Sequence, residues 1–394
     1  MSLSVSPRMA GVRPSPTGAV LALVTELRAQ GRDIISLGAG EPDFDTPQHI
    51  RDAAVAAIAA GQTRYTPIDG TAALKSAIQA KFRRENGLEY DTSQIIVTCG
   101  GKQALFNLCM ALLGPGNEAI IPAPYWVSYP DMVRLAEAQP VIIDAGIEQD
   151  FKLTPAQLEA RLNANTRLLV LNSPSNPTGA SYTRAELEAL GAVLEDYPDV
   201  VVVSDDIYEH IYWADEPFLS FAAACPGLLD RTVTVNGVSK GYAMTGWRIG
   251  YAGGPPAIVS AMKTVQSQST SNPCSVSQAA AQAALEGDQG PVAEMCAAYK
   301  QRHDYIVGAL NDIPGFECRP GEGAFYAFPR VQDALERLGL GDDAVLAEML
   351  ITEAGVACVP GAAFGAPGYL RMSFACSLDT LEQAVSRLNR VLAA

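Results

Sequence analysis

Five short β-rich runs, apolar on both faces and separated by helix-like stretches, constrain this chain more than any other feature. They are Ile95–Thr98, Ala119–Pro122, Leu168–Leu171, Val200–Ser204 and Thr232–Val235. A strand apolar on both faces has to be covered on both, and long intervening segments suit parallel crossovers. The fold class read from this pattern is α/β, a large unit whose mostly parallel sheet lies between helices. That unit is expected over roughly residues 46–284. At 394 residues the chain exceeds the size at which one core stops growing. A smaller α+β unit is therefore expected from residues 285–394, where GAFYAFPR, GVACVPG and LRMSFACS alternate with helical stretches. Residues 1–45 join that smaller unit, because so short a segment makes a poor core alone.

Composition enters where partners are concerned. Lys and Arg number 28 against 43 Asp and Glu, for a net charge of -15. This balance argues against nucleic acid or an anionic membrane as the partner, although a few local cations can still serve an anionic substrate. The eight cysteines form no CxxC pair and the chain has three histidines, so no metal site is expected. Free thiols fit a reducing compartment. The first residues lack an apolar signal core and no apolar run is long enough to span a bilayer, so a cytoplasmic enzyme is expected.

In open parallel sheets ligands bind beyond the carboxyl ends of the strands, so the residues following each run matter most. After the first comes Cys99-Gly-Gly-Lys102, where glycines let backbone N–H groups approach an anion at a helix N-terminus. An ordinary glycine turn explains the same residues. After the fourth come Asp205, Asp206, Ile207 and Tyr208. A carboxylate ending an apolar strand needs a cation or hydrogen bonds, and a pyridinium nitrogen is one such partner; a helix cap is the plainer alternative. After the fifth comes Val238-Ser-Lys240-Gly-Tyr-Ala-Met-Thr-Gly-Trp-Arg248. A lysine desolvated among small residues is a Schiff-base former, and Arg248 is near enough to neutralise a phosphate. The stiff loop Asn172-Ser-Pro-Ser-Asn-Pro-Thr-Gly179 can fix Asn176, and Arg371 in LRMSFACS can clamp a carboxylate. Each residue alone has a bland reading. Together, Lys for an imine, Asp for a pyridinium, Tyr and Asn for a ring oxygen, and Gly-Gly with Arg for a phosphate are what pyridoxal 5'-phosphate requires.

With those residues in view, the sequence resembles a class I aminotransferase of the aspartate aminotransferase family, fold type I. It is most similar to the bacterial branch with GGK and SKGYAMTGWRIGY motifs. The resemblance runs through nearly the whole chain in order, carried by ISLGAGEPDFDTP (35–47), RYTPIDGTAALKSAI (64–78), TCGGKQALFNL (98–108), PAPYWVSYP (122–130), NSPSNPTGA (172–180), SDDIYEH (204–210), VSKGYAMTGWRIGY (238–251), GAFYAFP (323–329) and LRMSFA (370–375).

The resemblance implies roles for particular residues. Lys240 would hold pyridoxal 5'-phosphate covalently and act as proton carrier, Asp205 would pair with the ring nitrogen, and Tyr208 and Asn176 would bond the ring oxygen. Trp126 would stack on the ring and also face the substrate. Gly100, Gly101, Lys102 and Arg248 would border the phosphate. Tyr65 would reach that phosphate from a partner subunit, making a homodimer part of the active site. Arg371, Asn176 and the backbone at Gly40 would take the substrate α-carboxylate, and Lys102 either the second carboxylate of a dicarboxylate or the phosphate. Two positions depart from the family pattern: Gly18, beside the possible substrate contacts Ser15 and Thr17, and Gly237, where other branches place a serine. Arg167 would lie near a position relevant to prephenate or aromatic substrates.

The activity implied is transfer of an amino group between an L-amino acid, aspartate or another dicarboxylate first, and a 2-oxo acid, 2-oxoglutarate first. Aromatic or prephenate transamination, or a lyase on the same fold, are the alternatives. A ligand-sensing regulator would need an attached DNA-binding domain, and the family pattern begins within the first 40 residues.

Overall fold

Successive residues of each β-rich run point to two opposite faces, and burial is nearly continuous along the runs because both faces are covered. The computed structural model describes residues 5–392. Its strands are β1 (Ile35–Ser36), β2 (Ile95–Thr98), β3 (Glu118–Ala123), β4 (Gln139–Asp144), β5 (Thr166–Asn172), β6 (Val201–Asp205), β7 (Thr232–Gly237), β8 (Gly250–Gly253), β9 (Tyr326–Ala327), β10 (Val356–Ala357), β11 (Val359–Pro360) and β12 (Leu370–Ser373). Seven of them form one sheet in the order β2-β8-β7-β6-β5-β3-β4, with β8 alone antiparallel to its neighbours. Val201 and Val203 pack on one side with helices Gly101–Leu112 and Pro256–Ser267, whereas Val202 packs on the other with helix Arg184–Leu194. This is the α/β class read from the sequence.

Two strands of this sheet were not among the five expected. Strand β4 lies at the edge, is only half buried, and carries Pro140. Strand β8 has glycine at two of its four positions, a composition that disfavours strands. A Cβ on Gly250 would lie 2.2 Å from the backbone nitrogen of Gly101, so the close approach of two backbones selects glycine there.

A separate three-stranded antiparallel sheet, β11-β12-β9, is built entirely from the C-terminal part. Near it, β1 pairs in parallel with β10, which ties the N-terminal segment to the C-terminal part. The long helix Gly290–Asn311 starts with Val292 in a cluster of the large sheet unit and continues with Met295, Tyr299, Ile306 and Leu310 in the C-terminal cluster. The last helix, Leu378–Leu392, buries Leu381, Ala384, Val385, Leu388 and Leu392 at helical spacing. Among the described residues no helix is long and apolar enough to cross a membrane.

Candidate active site

The carboxyl ends of β5, β6 and β7 open into a cavity of about 520 Å³. Asp205 is the last residue of β6, so the strand delivers its carboxylate to the cavity without a loop. Its Oδ2 accepts a bond from the Tyr129 hydroxyl at 2.6 Å, and its Oδ1 accepts one from the Ile207 backbone at 3.4 Å. Burial raises its pKa to about 6. The neighbouring Asp206 points elsewhere: it takes a bond from Ser204 at 2.6 Å and does not line the cavity.

Lys240 stands three residues past the end of β7, with its ammonium donating to the carbonyl of Gly40. Burial, with the Arg371 charge adding to it, pulls its pKa down to about 8. A substantial neutral fraction is then present near physiological pH, as a nucleophile or proton carrier requires. Tyr208 lies beside it, its hydroxyl 2.9 Å from that of Tyr326.

On a second wall Arg371 is 2% exposed. It donates to Asn176 Oδ1 at 3.0 Å and to the carbonyl of Gly38 at 2.7 Å, while its Nε has no partner. Asn176 is itself positioned, its backbone N–H bonded to Asn172 Oδ1 at 2.8 Å. No carboxylate among the described residues pairs with Arg371, and burial lowers its pKa. A buried cation with an idle donor is costly unless an anion completes it.

The third wall carries positive charge. Gly101 opens the helix Gly101–Leu112, and Gly100 before it has φ +84°. A Cβ on Gly100 would sit 2.3 Å from the Arg248 guanidinium, so the glycine makes room for the cation beside the helix N-terminus. Arg248, at φ +58°, is held by the carbonyl of Thr245 at 2.8 Å. Lys102 lies 4.8 Å from the ring centre of Trp126. Burial, with Arg248 nearby, lowers the Lys102 pKa.

Beneath the cavity runs a buried ion cluster. Lys81, fully buried, donates to Glu209 and, at 2.7 Å, to Asn86 Oδ1; Asn86 Nδ2 donates to Glu209 Oε2 at 2.7 Å. His210 reaches Glu85 at 3.0 Å, and Gly241 packs so closely that a Cβ there would lie 2.8 Å from the His210 ring. Glu85, Glu209 and His210 could ligate a metal, but the Lys81 ammonium already stands among the two carboxylates as their cation. The cluster braces the turns that carry Tyr208 and Lys240.

Lys240, Asp205, Tyr208, Gly101, Lys102, Trp126, Asn176, Arg248, Gly40 and Arg371 all line this one cavity, with Gly100 directly behind it. Tyr65 does not: it is 92% exposed and away from its own chain's cavity. Arg167 is also elsewhere. It sits near the start of β5, five residues or about 16 Å from the cavity end at Asn172, and pairs with Asp199 at 3.5 Å. At Gly237 a Cβ would meet the Gly250 Cα at 3.0 Å, which gives the missing serine a packing reason. Sequence reasoning did not single out Tyr129, Tyr326 or Ser239, which also line the cavity. Each lies within a motif quoted above, but nothing in its spacing marks it.

Comparison with known proteins adds independent findings. The family described as aminotransferase class I and II matches residues 32–388. A protein of Nitrosomonas europaea called aspartate/prephenate aminotransferase is 53% identical over 99% of this chain and 100% of its own. Aspartate aminotransferase from Rhizobium meliloti superposes with a TM-score of 0.95 at 45% identity, covering 100% of this chain and 99% of that one. The Thermus thermophilus aspartate aminotransferase solved with maleate gives a TM-score of 0.93 at 43% identity, over 99% and 100% of the two chains.

Proposed function

The chain belongs to the class I and II aminotransferases, and on that premise we propose that it moves the amino group of aspartate to 2-oxoglutarate or a similar 2-oxo acid. Transamination is the family's reaction; aspartate as donor is the finer reading, supported by the names of its relatives and by Lys102.

The residues present fit pyridoxal 5'-phosphate. A buried amine and a buried carboxylate line the same cavity, and a helix N-terminus beside Arg248 provides an anion site of the kind a phosphate needs. Lys240 would hold the cofactor covalently, Asp205 its ring nitrogen, Tyr208 and Asn176 its ring oxygen, Trp126 its face, and Gly100, Gly101, Lys102 and Arg248 its phosphate. Once bound, the group supplies an electron-withdrawing ring that weakens the substrate Cα–H bond and stores the amino group between half-reactions.

The remaining steps belong to the protein. Arg371 and Asn176 orient the substrate through its α-carboxylate, and this fixes the Cα–H bond toward Lys240. Once the substrate amino group has taken its place, the freed, neutral Lys240 amine takes the Cα proton of the donor and, in the second half-reaction, delivers a proton to the Cα of the acceptor; its burial keeps that amine available. Asp205, ionised in the loaded site, keeps the ring nitrogen protonated; the hydroxyl of Tyr129 bonded to it favours that state. Lys102 provides a second cation for a side-chain carboxylate. The two oxo acids leave and enter in turn, so the kinetics are ping-pong. Tyr65 fits a contribution to the neighbouring site of a homodimer, because its large exposed ring serves no site of its own chain. The domain division at about residues 46 and 284 fits substrate binding at the junction, since Arg371 comes from the C-terminal sheet and Lys240 from the large one.

The uncompensated Arg371 carries this reading. Its test is a donor screen on cofactor-loaded protein, followed by absorbance. Rapid conversion by aspartate or glutamate, weakened in Lys102→Ala, is expected; conversion by neutral donors alone would reject the dicarboxylate assignment.

One observation favours a second reading, the prephenate named in relatives. A side cavity of about 470 Å³ opens beside Lys102, floored by Phe106, Met132 and Leu135 and bordered by Arg13. It suits a bulky apolar ring that carries an additional carboxylate.

A further inference from the structure

Tyr326 lines the cavity between Arg371 and Tyr208 and has no direct contact assigned to cofactor or substrate. Tyr326 is 1% exposed and lies on β9, opposite Ser373 of β12. Arg371 is two positions along β12, so the two side chains are diagonal neighbours on one face of the small sheet. The Arg371 guanidinium lies 4.5 Å from the Tyr326 ring centre. The Tyr326 hydroxyl is 2.9 Å from the Tyr208 hydroxyl. It also presses on Gly40: a Cβ there would lie 2.8 Å from it, and the Gly40 carbonyl accepts the Lys240 ammonium.

We propose that Tyr326 is a positioning residue that couples the carboxylate clamp at Arg371 to the proton donor Tyr208. The inference rests on the reading that Tyr208 bonds the cofactor's ring oxygen. A hydroxyl has one proton to donate. If Tyr208 spends it toward the cavity, its oxygen is free to accept, and Tyr326 is the hydroxyl placed to donate to it. Two hydroxyls in series polarise one another, so Tyr326 makes Tyr208 the stronger donor. The ring of the same residue holds the guanidinium face, which aims the free Nε of Arg371. Tyr326 comes from the C-terminal sheet and Tyr208 from the turn after β6, so the bond joins the two parts of the molecule that meet at the substrate.

Two variants separate the two jobs of one side chain. Tyr326→Phe keeps the ring and removes the hydroxyl. In the cofactor-loaded enzyme kcat should fall about 3- to 10-fold with KM for aspartate changed less than about twofold. The pH midpoint of the bound cofactor's absorbance, read without substrate, should rise by about 0.5–1 unit, because a weaker donor leaves the ring oxygen more basic. Tyr326→Leu removes the ring too, and should weaken binding of succinate, a dicarboxylate that cannot react, by a further 3- to 10-fold or about that.

Tyr208→Phe sets the reference. It should raise the midpoint by more than Tyr326→Phe, and the double variant should match Tyr208→Phe alone. If Tyr208→Phe moves the midpoint and Tyr326→Phe leaves both it and kcat in place, the coupling is wrong while the function stands. A midpoint unmoved by Tyr208→Phe overturns the Tyr208 role and the coupling with it. Thermal melting of each variant guards against mistaking unfolding for either result.

Discussion

The floor and the entrance of this cavity are built in opposite ways. The floor, carrying Asp205, Tyr208 and Lys240, rests on strand ends and on a buried Lys81–Glu209–Asn86 cluster. The entrance is formed in part by helix Pro16–Ala29, of which Val24 is the one fully buried residue and Leu21 is 54% exposed. Groups that must keep a perturbed charge state need fixed, dry surroundings, whereas a wall past which substrate enters needs little packing. The contrast teaches that stability and specificity are assigned to different parts of the cavity.

The comparison can be broken at its strongest point first. Lys240→Ala should lower transamination by at least about 10²–10⁴-fold while the melting temperature holds, because the fold does not depend on its amine. Retained turnover would remove Lys240 as proton carrier. Next in size is the brace: Glu209→Ala should destabilise the protein by about 3–5 kcal/mol, since it removes the fully buried ammonium's nearest carboxylate and leaves it only Glu85 at 3.5 Å and Asn86. Adding Lys81→Met should restore much of that loss in denaturant titration; a single variant as stable as the parent would show that the floor does not lean on this cluster.

A third test uses pH on cofactor-free protein. The folded Asp205 pKa of about 6 lies above its unfolded value. Between about pH 4 and 6 the unfolded chain has released that proton and the folded chain retains it, so stability falls as pH rises through this window, by about 3 kcal/mol from this group. Asp206, raised to about 7 by burial, acts in the same direction, so the informative quantity is the difference between the parent and Asp205→Asn. Parallel stability curves for the two would discard the perturbed carboxylate. Smaller still, Lys102→Ala should raise KM for aspartate about tenfold and leave a neutral donor nearly unaffected. Equal effects on both donors would move Lys102 from substrate to phosphate. At the entrance, Leu21→Ser should change stability by no more than about 0.5 kcal/mol. A larger loss would mean the helix is packed more firmly than its exposure indicates.

Legibility followed the physics of each element. Strands β2, β6 and β7 were readable because burial on both faces leaves an unbroken apolar run. Strand β8 was not, because Gly250 answers to the backbone of Gly101, more than a hundred residues away. The site shows the same division. Lys240 and Asp205 stand out as charges at apolar strand ends, and Gly100-Gly101 as a break before a helix. Tyr129 and Tyr326 are aromatic residues in aromatic surroundings, and only the partners of their hydroxyls distinguish them from core. Arg167 shows the reverse error, a residue near the right motif but at the wrong end of its strand.

By itself, then, the order of apolar runs determined the layered α/β architecture, and the residues at their ends determined the chemistry, because strand burial and strand-end position are local properties. Tertiary structure alone decided which of Asp205 and Asp206 faces the cavity, that Arg371 lies buried without a counter-ion, and that Tyr326 bridges it to Tyr208. Those outcomes depend on distances between segments remote in the chain, and desolvation and hydrogen bonding act through such distances.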